Sequence, residues 1–92
     1  MNDIPKKNFN DLSRLKWACR RGMLELDVLL GNFLDQAYSA LPNHQKEAFI
    51  HLLECTDPEI FAWLMGHDIP IDPELQQITE VIRNHVRTSF SN

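Results

Sequence analysis

The chain has 92 residues, enough for one small domain and too few for two independent hydrophobic cores. Hydrophobic residues make up 43% and charged residues 24%, proportions that are typical of a globular protein and exclude a disordered or fibrous chain. The 13 acidic residues outnumber the 9 basic ones, giving a formal net charge of −4. General binding of nucleic acid is therefore not expected, because neutralising phosphates requires a surplus of Lys and Arg.

Three features bear on the cellular compartment. No apolar run approaches the ~20 residues that a membrane-spanning helix needs. Lys6 and Lys7 near the N-terminus are not followed by the apolar stretch of a secretory signal. Cys19 and Cys55 are the only cysteines, and they lie far apart among apolar neighbours, whereas small secreted domains are rich in disulfides. We therefore expect a soluble, cytoplasmic protein with two reduced thiols.

Charge is distributed unevenly along the chain. Residues 1–21 contain six basic and two acidic side chains, a net charge of +4, whereas residues 22–92 contain three basic and eleven acidic ones, a net charge of −8. A basic segment on an acidic body could orient an approaching partner. Alternatively, the cations of this segment pair with carboxylates of the body.

Only helical periodicity is found in the sequence. Residues 1–10 are polar and are predicted to form a flexible arm. Asp11 is predicted to cap a first helix that continues to Gly22, and a second helix is predicted from Leu24 to Ala40. The apolar faces of these helices are predicted to consist of Leu12, Leu15, Cys19 and Met23 in the first, and Leu26, Leu29, Leu30, Phe33, Ala37 and Leu41 in the second.

Three more helices are predicted in the second half of the chain. Asn43, after a proline, can cap the third. The run Thr-Asp-Pro-Glu at 56–59 indicates a fourth helix, begun either by a Thr–Glu capping box or by an Asp cap followed by proline, and Gly66 ends it. Asp-Pro-Glu at 72–74 begins the fifth. The predicted buried residues are Ala48, Phe49, Leu52 and Leu53, then Ile60, Phe61 and Leu64, then Leu75, Ile78, Ile82 and Val86.

These elements predict an all-α fold, a compact single-domain bundle of five short helices. The domain is placed at residues 11–88, with a short tail at 89–92. A core of this size should enclose no cofactor-sized pocket, which would need about 300 Å³. We therefore expect a protein that acts through its outer surface rather than an enzyme with a buried active site.

The sequence contains no recognisable catalytic or cofactor motif. Neither a Gly-x-Ser-x-Gly turn nor a glycine-rich phosphate loop occurs. His51 and Cys55 have the i, i+4 spacing of two metal ligands, but a zinc site requires three or four. We expect His51 at the surface and Cys55 in the core, and we predict no catalytic residue, no metal site and no cofactor of the protein's own.

One cluster differs from an ordinary surface. Helical spacing places Arg14, Trp17 and Arg21 opposite the apolar face of the first helix, so the indole should point outward between two guanidinium groups. An exposed Trp flanked by Arg is typical of a protein-binding hot spot. Aromatic and Arg side chains also stack on bases, which leaves a helical nucleic-acid-binding module as an alternative.

The residues that follow the cluster have two possible roles. Glu25 and Asp27 lie in the first turn of the second helix, where the helix dipole favours carboxylates for purely structural reasons. Gly22 either provides a backbone conformation that other residues avoid or leaves a gap for the backbone of a partner.

The run Arg-Gly-Met-Leu-Glu-Leu-Asp at 21–27 resembles the Arg-Gly-x-x-Glu-x-Asp signature of the succinate dehydrogenase assembly factors, the FAD assembly factor (SdhE) family. Three further segments are similar to bacterial members, and the resemblance covers about residues 12–86. These segments are Trp-Ala-Cys-Arg-Arg-Gly at 17–22, Leu-Leu-Glu-Cys-Thr-Asp-Pro at 52–58 and Phe-Ala-Trp-Leu-Met at 61–65.

The resemblance implies a five-helix maturation factor that is not an enzyme. Such a protein binds the flavoprotein subunit of succinate dehydrogenase, and in bacteria also that of fumarate reductase, and promotes covalent attachment of FAD to a histidine of that client. The FAD belongs to the client, and the factor itself is expected as a monomer or weak homodimer. Some bacterial relatives are described as antitoxin-like partners of a small membrane-associated toxin, which is an alternative. The implied partner-binding residues are Arg21, Gly22, Glu25 and Asp27, with Arg20 and Trp17 as neighbours.

Overall fold

Five α-helices and a 3₁₀ turn make up residues 11–90, the part of the chain that this computed structural model describes, and no strand occurs within that range. The helices are α1 (Leu12–Ala18), α2 (Leu24–Gln36), α3 (Asn43–Leu53), α4 (Asp57–Leu64) and α5 (Pro73–Phe90), with the 3₁₀ turn at Tyr38–Ala40. The predicted all-α class with five helices is confirmed. The predicted arm at residues 1–10 and the last tail residues, 91–92, lie outside the described residues, and α5 extends past the predicted domain end at residue 88.

Three of the four predicted helix start signals are confirmed, and in each of them the hydrogen-bonding partners are two or three residues apart. Asp11 accepts a hydrogen bond from the backbone N–H three residues later, as expected for an N-cap. Of the two alternatives for α4, the capping box is present: the N–H of Glu59 donates to Thr56 Oγ1 at 3.3 Å, and the N–H of Thr56 donates to Glu59 Oε1 at 3.0 Å. The N–H of Glu74 donates to Asp72 Oδ1 at 2.8 Å where α5 begins.

Three predicted helix boundaries are wrong. α1 ends at Ala18, a full turn before the predicted glycine, and the chain then turns toward α2. α2 ends at Gln36 rather than at residue 40, because the chain tightens into the 3₁₀ turn. Asn43 is the first residue of α3 and not its cap, since Pro42 occupies the cap position without a side-chain hydrogen bond.

The end of α4 was predicted correctly. Met65 is the C-cap residue after α4, and Gly66 follows with φ +79°, the left-handed conformation that glycine adopts without strain. The N–H of His67 donates to the carbonyl of Ala62 at 2.8 Å, which satisfies a carbonyl group of the last turn as in a Schellman motif.

The hydrophobic core lies where α5 packs against α2, α3 and α4. Fully buried side chains come from each of these four helices and include Leu26, Leu30, Phe33, Phe49, Leu52, Ile60, Ile78 and Ile82. All eight were predicted to be buried. No helix within residues 11–90 is both long and apolar enough to cross a membrane.

Several side chains depart from the predicted apolar faces. Leu12 was expected in the core but is 44% exposed. It lies in the first turn of α1, and the buried residue of that helix is Leu15. Leu34, Tyr38 and Trp63 are buried although no predicted face includes them. The change from α-helical to 3₁₀ geometry after α2 explains Tyr38, since it alters the angle between successive side chains.

Candidate partner-binding site

The segment between the first two helices forms a sharp corner, which we call the α1–α2 corner and define as residues 17–28. Gly22 has φ +81° in this corner, a conformation that costs other residues about 1 to 2 kcal/mol. A Cβ atom built on Gly22 would meet no heavy atom within 4 Å. The position therefore favours glycine for its backbone conformation and is also open to an approaching partner, so the structure is compatible with both interpretations of Gly22.

Arg21 points into the molecule rather than toward solvent. Its Nε donates to Asp57 Oδ1 at 2.7 Å, and the side chain is only 13% exposed. Nη1 donates to the carbonyl of Leu53 at 2.7 Å and to that of Ala18 at 3.1 Å, and Nη2 donates to the carbonyl of Cys55 at 2.7 Å. The predicted outward position of Arg21 beside the indole is therefore wrong.

The early end of α1 explains this difference. Helical spacing places Arg21 beside Trp17 only if the helix continues, and α1 ends at Ala18. The carbonyl groups at the end of α3 lack partners within that helix, and the guanidinium group supplies donors for the nearby Leu53 and Cys55 carbonyls. Arg suits this position because its planar group offers several donors in fixed directions.

Asp27 also has an internal partner. Its Oδ1 accepts a hydrogen bond from the backbone N–H of Arg21 at 2.7 Å, which closes the turn between the two helices. Asp27 is half-buried and lies in the first part of α2, where its charge also suits the helix dipole. This contact supports the alternative in which Asp27 has a structural role.

Trp17, Arg20 and Glu25 are exposed around the same corner. The indole of Trp17 is 72% exposed, as predicted. The guanidinium carbon of Arg20 lies 5.4 Å from the centre of that ring, within the range of a cation–π contact. Glu25 is exposed and has no hydrogen bond or ion pair with other residues of the described part. Four of the six predicted partner-binding residues, counting Gly22, therefore face solvent.

Two exposed apolar side chains extend this surface and were missed in the sequence. Leu24 is 74% exposed and Val28 is 45% exposed, and their i, i+4 spacing places them on one face of α2. Both lie off the predicted buried stripe of that helix, which is the signal that could have identified them. Together with Trp17, they place three exposed apolar side chains within residues 17–28.

Both interpretations of the basic leading segment are partly realised in the described residues. Arg21 pairs with Asp57, and Lys16 Nζ lies 3.5 Å from Asp35 Oδ1, so some cations contact carboxylates of the body. Arg14 and Arg20 form no such pair within residues 11–90. Part of the positive charge therefore remains available beside the exposed indole.

The remaining candidate groups show no reactive arrangement. His51 is exposed, and its Nδ1 lies 3.0 Å from Glu74 Oε1, which raises the pKa of the imidazole. Cys55 is half-buried rather than in the core, and burial raises its pKa. Burial also raises the pKa of the Cys19 thiol to about 11, so it is a poor nucleophile. The described residues hold no group of three or more metal-ligating side chains.

One surface groove is larger than the volume of about 300 Å³ that a cofactor-sized pocket would need. It has a volume of about 480 Å³ and opens between the end of α4 and α5, with Trp63, Pro70 and Arg83 among its walls. Unlike the enclosed pocket that was considered from the sequence, this groove is a depression in the surface.

A small helical domain that exposes Trp, Arg and aliphatic side chains at one corner has the features of a protein-binding module. Residues 13–86 match the family described as "Flavinator of succinate dehydrogenase". The chain belongs to this family. Its relatives include three proteins called FAD assembly factor SdhE: those of Shewanella oneidensis (53% identical over 73 residues; 79% of this chain, 89% of the relative), Idiomarina loihiensis (51% over 77; 84% and 86%) and Yersinia pseudotuberculosis (49% over 72; 78% and 82%).

Proposed function

We propose that this chain is an assembly factor that binds the flavoprotein subunit of succinate dehydrogenase and promotes covalent attachment of FAD to a histidine of that subunit. The observation that carries the proposal is the family membership of residues 13–86 together with an exposed Trp–Arg surface at the family's signature. The relatives named as FAD assembly factors support the same role. The antitoxin and nucleic-acid alternatives have no comparable support.

The client-binding site in this proposal is the α1–α2 corner. Trp17 and Arg20 provide an aromatic and cationic pair, and Gly22 lets the partner approach the backbone closely. Glu25 provides an exposed carboxylate that can accept hydrogen bonds from the client. Arg21 and Asp27 belong to the same site, but their contacts within the domain give them a different part in it.

The factor contributes orientation rather than bond-forming groups. The flavin and the histidine both belong to the client, and the factor is proposed to bind no FAD of its own and to catalyse no reaction by itself. By binding the client in one arrangement, it would hold the histidine near the flavin carbon with which it reacts. Fixing two reacting groups in attack geometry can contribute several kcal/mol to lowering a barrier.

The proposal extends to the setting in which the factor works. The cytoplasm is the proposed compartment, supported by two unpaired cysteines, since thiols persist in a reducing environment. The flavoprotein subunit of fumarate reductase is a proposed second client, as the resemblance to bacterial family members implies. The factor is proposed to be a monomer when idle, with weak self-association through the exposed Trp17 and Leu24 side chains.

Co-expression with the flavoprotein subunit tests the proposal. The client is purified from cells with and without this chain, and covalent flavin is measured by its fluorescence in a denaturing gel. We expect the two proteins to co-purify and the fluorescent band to depend on the chain. Equal covalent flavin in its absence, with no co-purification, would contradict the proposed function.

A further inference from the structure

We propose that Arg21 and Asp57 form a positioning pair that holds the α1–α2 corner in its client-binding conformation. The inference rests on the proposed function and adds Asp57, a residue of α4 outside the signature, to the residues on which client binding depends. In this view Arg21 acts from inside the domain and does not touch the client.

The contacts of Arg21 cross the fold. Three of its hydrogen bonds, to Leu53, Cys55 and Asp57, span 32 to 36 residues of sequence. Each of these bonds is 2.7 Å long, and the side chain that makes them is 13% exposed. Hydrogen bonds from a charged donor of this length are stronger than neutral ones. The guanidinium group therefore fastens the corner to the junction of α3 and α4.

The same residue is joined directly to the exposed surface. Arg20 and Gly22 are its neighbours in the chain, and its backbone N–H donates to Asp27 at 2.7 Å. Nη1 also donates to the carbonyl of Ala18, the residue after Trp17. A shift of the Arg21 side chain would thus move the backbone on both sides of it.

The buried side chains of Cys19 and Leu26 fix the two ends of the corner in the core, but between them few other hydrogen bonds hold the backbone of residues 20–22. The N–H of Arg20 donates to the carbonyl of Trp17, a bond within the corner itself, and a Cβ on Gly22 would touch nothing within 4 Å. Without the Arg21 contacts, residues 20–22, which lie between the buried Cys19 and the partly buried Met23, would have few contacts that favour one conformation. A partner would then have to order it on binding, which costs affinity even when no client contact is lost.

A competing interpretation is that Arg21 itself binds the client. Removing Asp57 would then release the guanidinium group for the client and leave affinity unchanged or higher. The positioning interpretation requires the opposite result, because Asp57 acts only through Arg21. The two interpretations therefore differ in the sign or presence of one measurable effect.

The test compares Asp57→Ala, Arg21→Ala and the double variant in binding to the purified flavoprotein subunit, at a temperature where circular dichroism shows each to be folded. Asp57→Ala should weaken binding about tenfold, and the double variant should be no weaker than Arg21→Ala alone, because partners in one contact are coupled. Asp57→Asn keeps an acceptor oxygen and should fold, and its affinity for the client should lie between those of Asp57→Ala and the unmodified chain.

Thr56→Ala is the matched control for stability. It removes the capping box of α4, next to Asp57, and should lower stability by about 1 kcal/mol without removing an Arg21 partner. If Asp57 mattered only for folding, Thr56→Ala and Asp57→Ala would change client affinity alike. Positioning predicts that Thr56→Ala binds like the unmodified chain. Arg21→Lys should bind the client as weakly as Arg21→Ala, because one ammonium group cannot reach all the acceptors that the planar guanidinium group contacts.

Hydrogen exchange of the free protein provides a readout that needs no client. The backbone amides of Arg20 and Arg21, which are hydrogen-bonded to Trp17 and Asp27, should exchange faster in Asp57→Ala and at the unmodified rate in Thr56→Ala. Wild-type affinity of Asp57→Ala, or independent additive effects of the two substitutions, would overturn the proposal. If the unmodified chain failed to bind the subunit, the proposed function would fall, while unchanged exchange in Asp57→Ala would separately refute the positioning pair.

Discussion

The guanidinium group of Arg20 lies 5.4 Å from the centre of the Trp17 ring, although the preceding helix ends between these two residues. The contact orients an indole that is 72% exposed and has little packing of its own. An exposed cation–π contact of this kind contributes about 0.5 to 1 kcal/mol. It presents a large apolar surface in a defined orientation, which lowers the entropic cost of binding a partner.

Replacing Trp17 by Ala should weaken binding to the flavoprotein subunit by about 2 kcal/mol or more, the effect of losing a hot-spot residue. Stability should change by less than about 0.5 kcal/mol, because the side chain is mostly in solvent. Titration calorimetry and urea unfolding measure the two effects. Ile71→Ala is the control: Ile71 is 95% exposed in the connection before α5, and its removal should leave affinity unchanged. Equal losses for both variants would argue against a specific role of the indole.

Gly22→Arg should abolish flavin attachment while the domain stays folded. The space around the position is open, so the fold loses only about 1 to 2 kcal/mol from the positive φ, whereas the added side chain blocks the client. In-gel flavin fluorescence and circular dichroism measure the two outcomes. Gly31→Arg is the control, since it adds the same side chain at another open glycine, within α2.

A D-alanine at position 22 separates the two roles considered for the glycine. It accommodates a positive φ without strain but fills the gap, and a chain of 92 residues is within reach of chemical ligation. Loss of client binding with full stability would assign the glycine to close approach. Full binding would assign it to backbone conformation alone.

Glu25→Gln should weaken client binding with almost no loss of helix. The carboxylate has no hydrogen bond within residues 11–90, so its structural contribution is limited to the dipole of α2, about 0.3 to 1 kcal/mol. Calorimetric affinity and helical ellipticity are the measurements. Glu80→Gln, at an exposed position of α5, provides a charge-matched control. A marked fall in ellipticity with unchanged affinity would show that Glu25 serves the helix instead.

The pair of His51 and Glu74 should make stability depend on pH. Hydrogen bonding to Glu74 raises the pKa of His51 in the folded state, so the pair stabilises the fold below the unfolded pKa of about 6.5 and loses this effect as pH rises through the folded pKa. The neighbouring Glu47 and Glu54 act in the same direction, and burial opposes them.

Urea unfolding of the unmodified chain and of Glu74→Gln measures this effect. The difference in unfolding free energy between them should be larger at pH 5.5 than at pH 8.5. It should stay below about 1 kcal/mol because both side chains are substantially exposed. A difference that grows with pH would mean that the pair is not formed with a protonated imidazole.

Features determined by neighbours in sequence were predictable. The capping box of α4 follows from Thr56 and Glu59, three residues apart, and the buried faces of α3 and α5 follow from helical spacing. The exposure of Trp17 was also predicted correctly, because it lies within the part of α1 that is helical. In these cases, the local pattern contains the information that determines the structure.

The inward position of Arg21 could not be predicted in the same way. Its strongest partner, Asp57, is 36 residues away, and no local pattern relates the two. The helix also ends three residues before Arg21, so extrapolating its face assigned the side chain to the wrong side. Leu24 and Val28 were missed for a different reason: helical periodicity predicts which residues face the core, and these two apolar residues lie beside that buried stripe.

The order in which the chain is synthesised gives the Arg21 contacts a temporal consequence. The acceptors at Leu53, Cys55 and Asp57 leave the ribosome after α1 and α2 have emerged. A nascent chain with only these two helices lacks the groups that fasten its own corner. Under the positioning proposal, a nascent chain therefore binds the client only after α3 and α4 have been synthesised and folded, and shorter chains do not compete for the client.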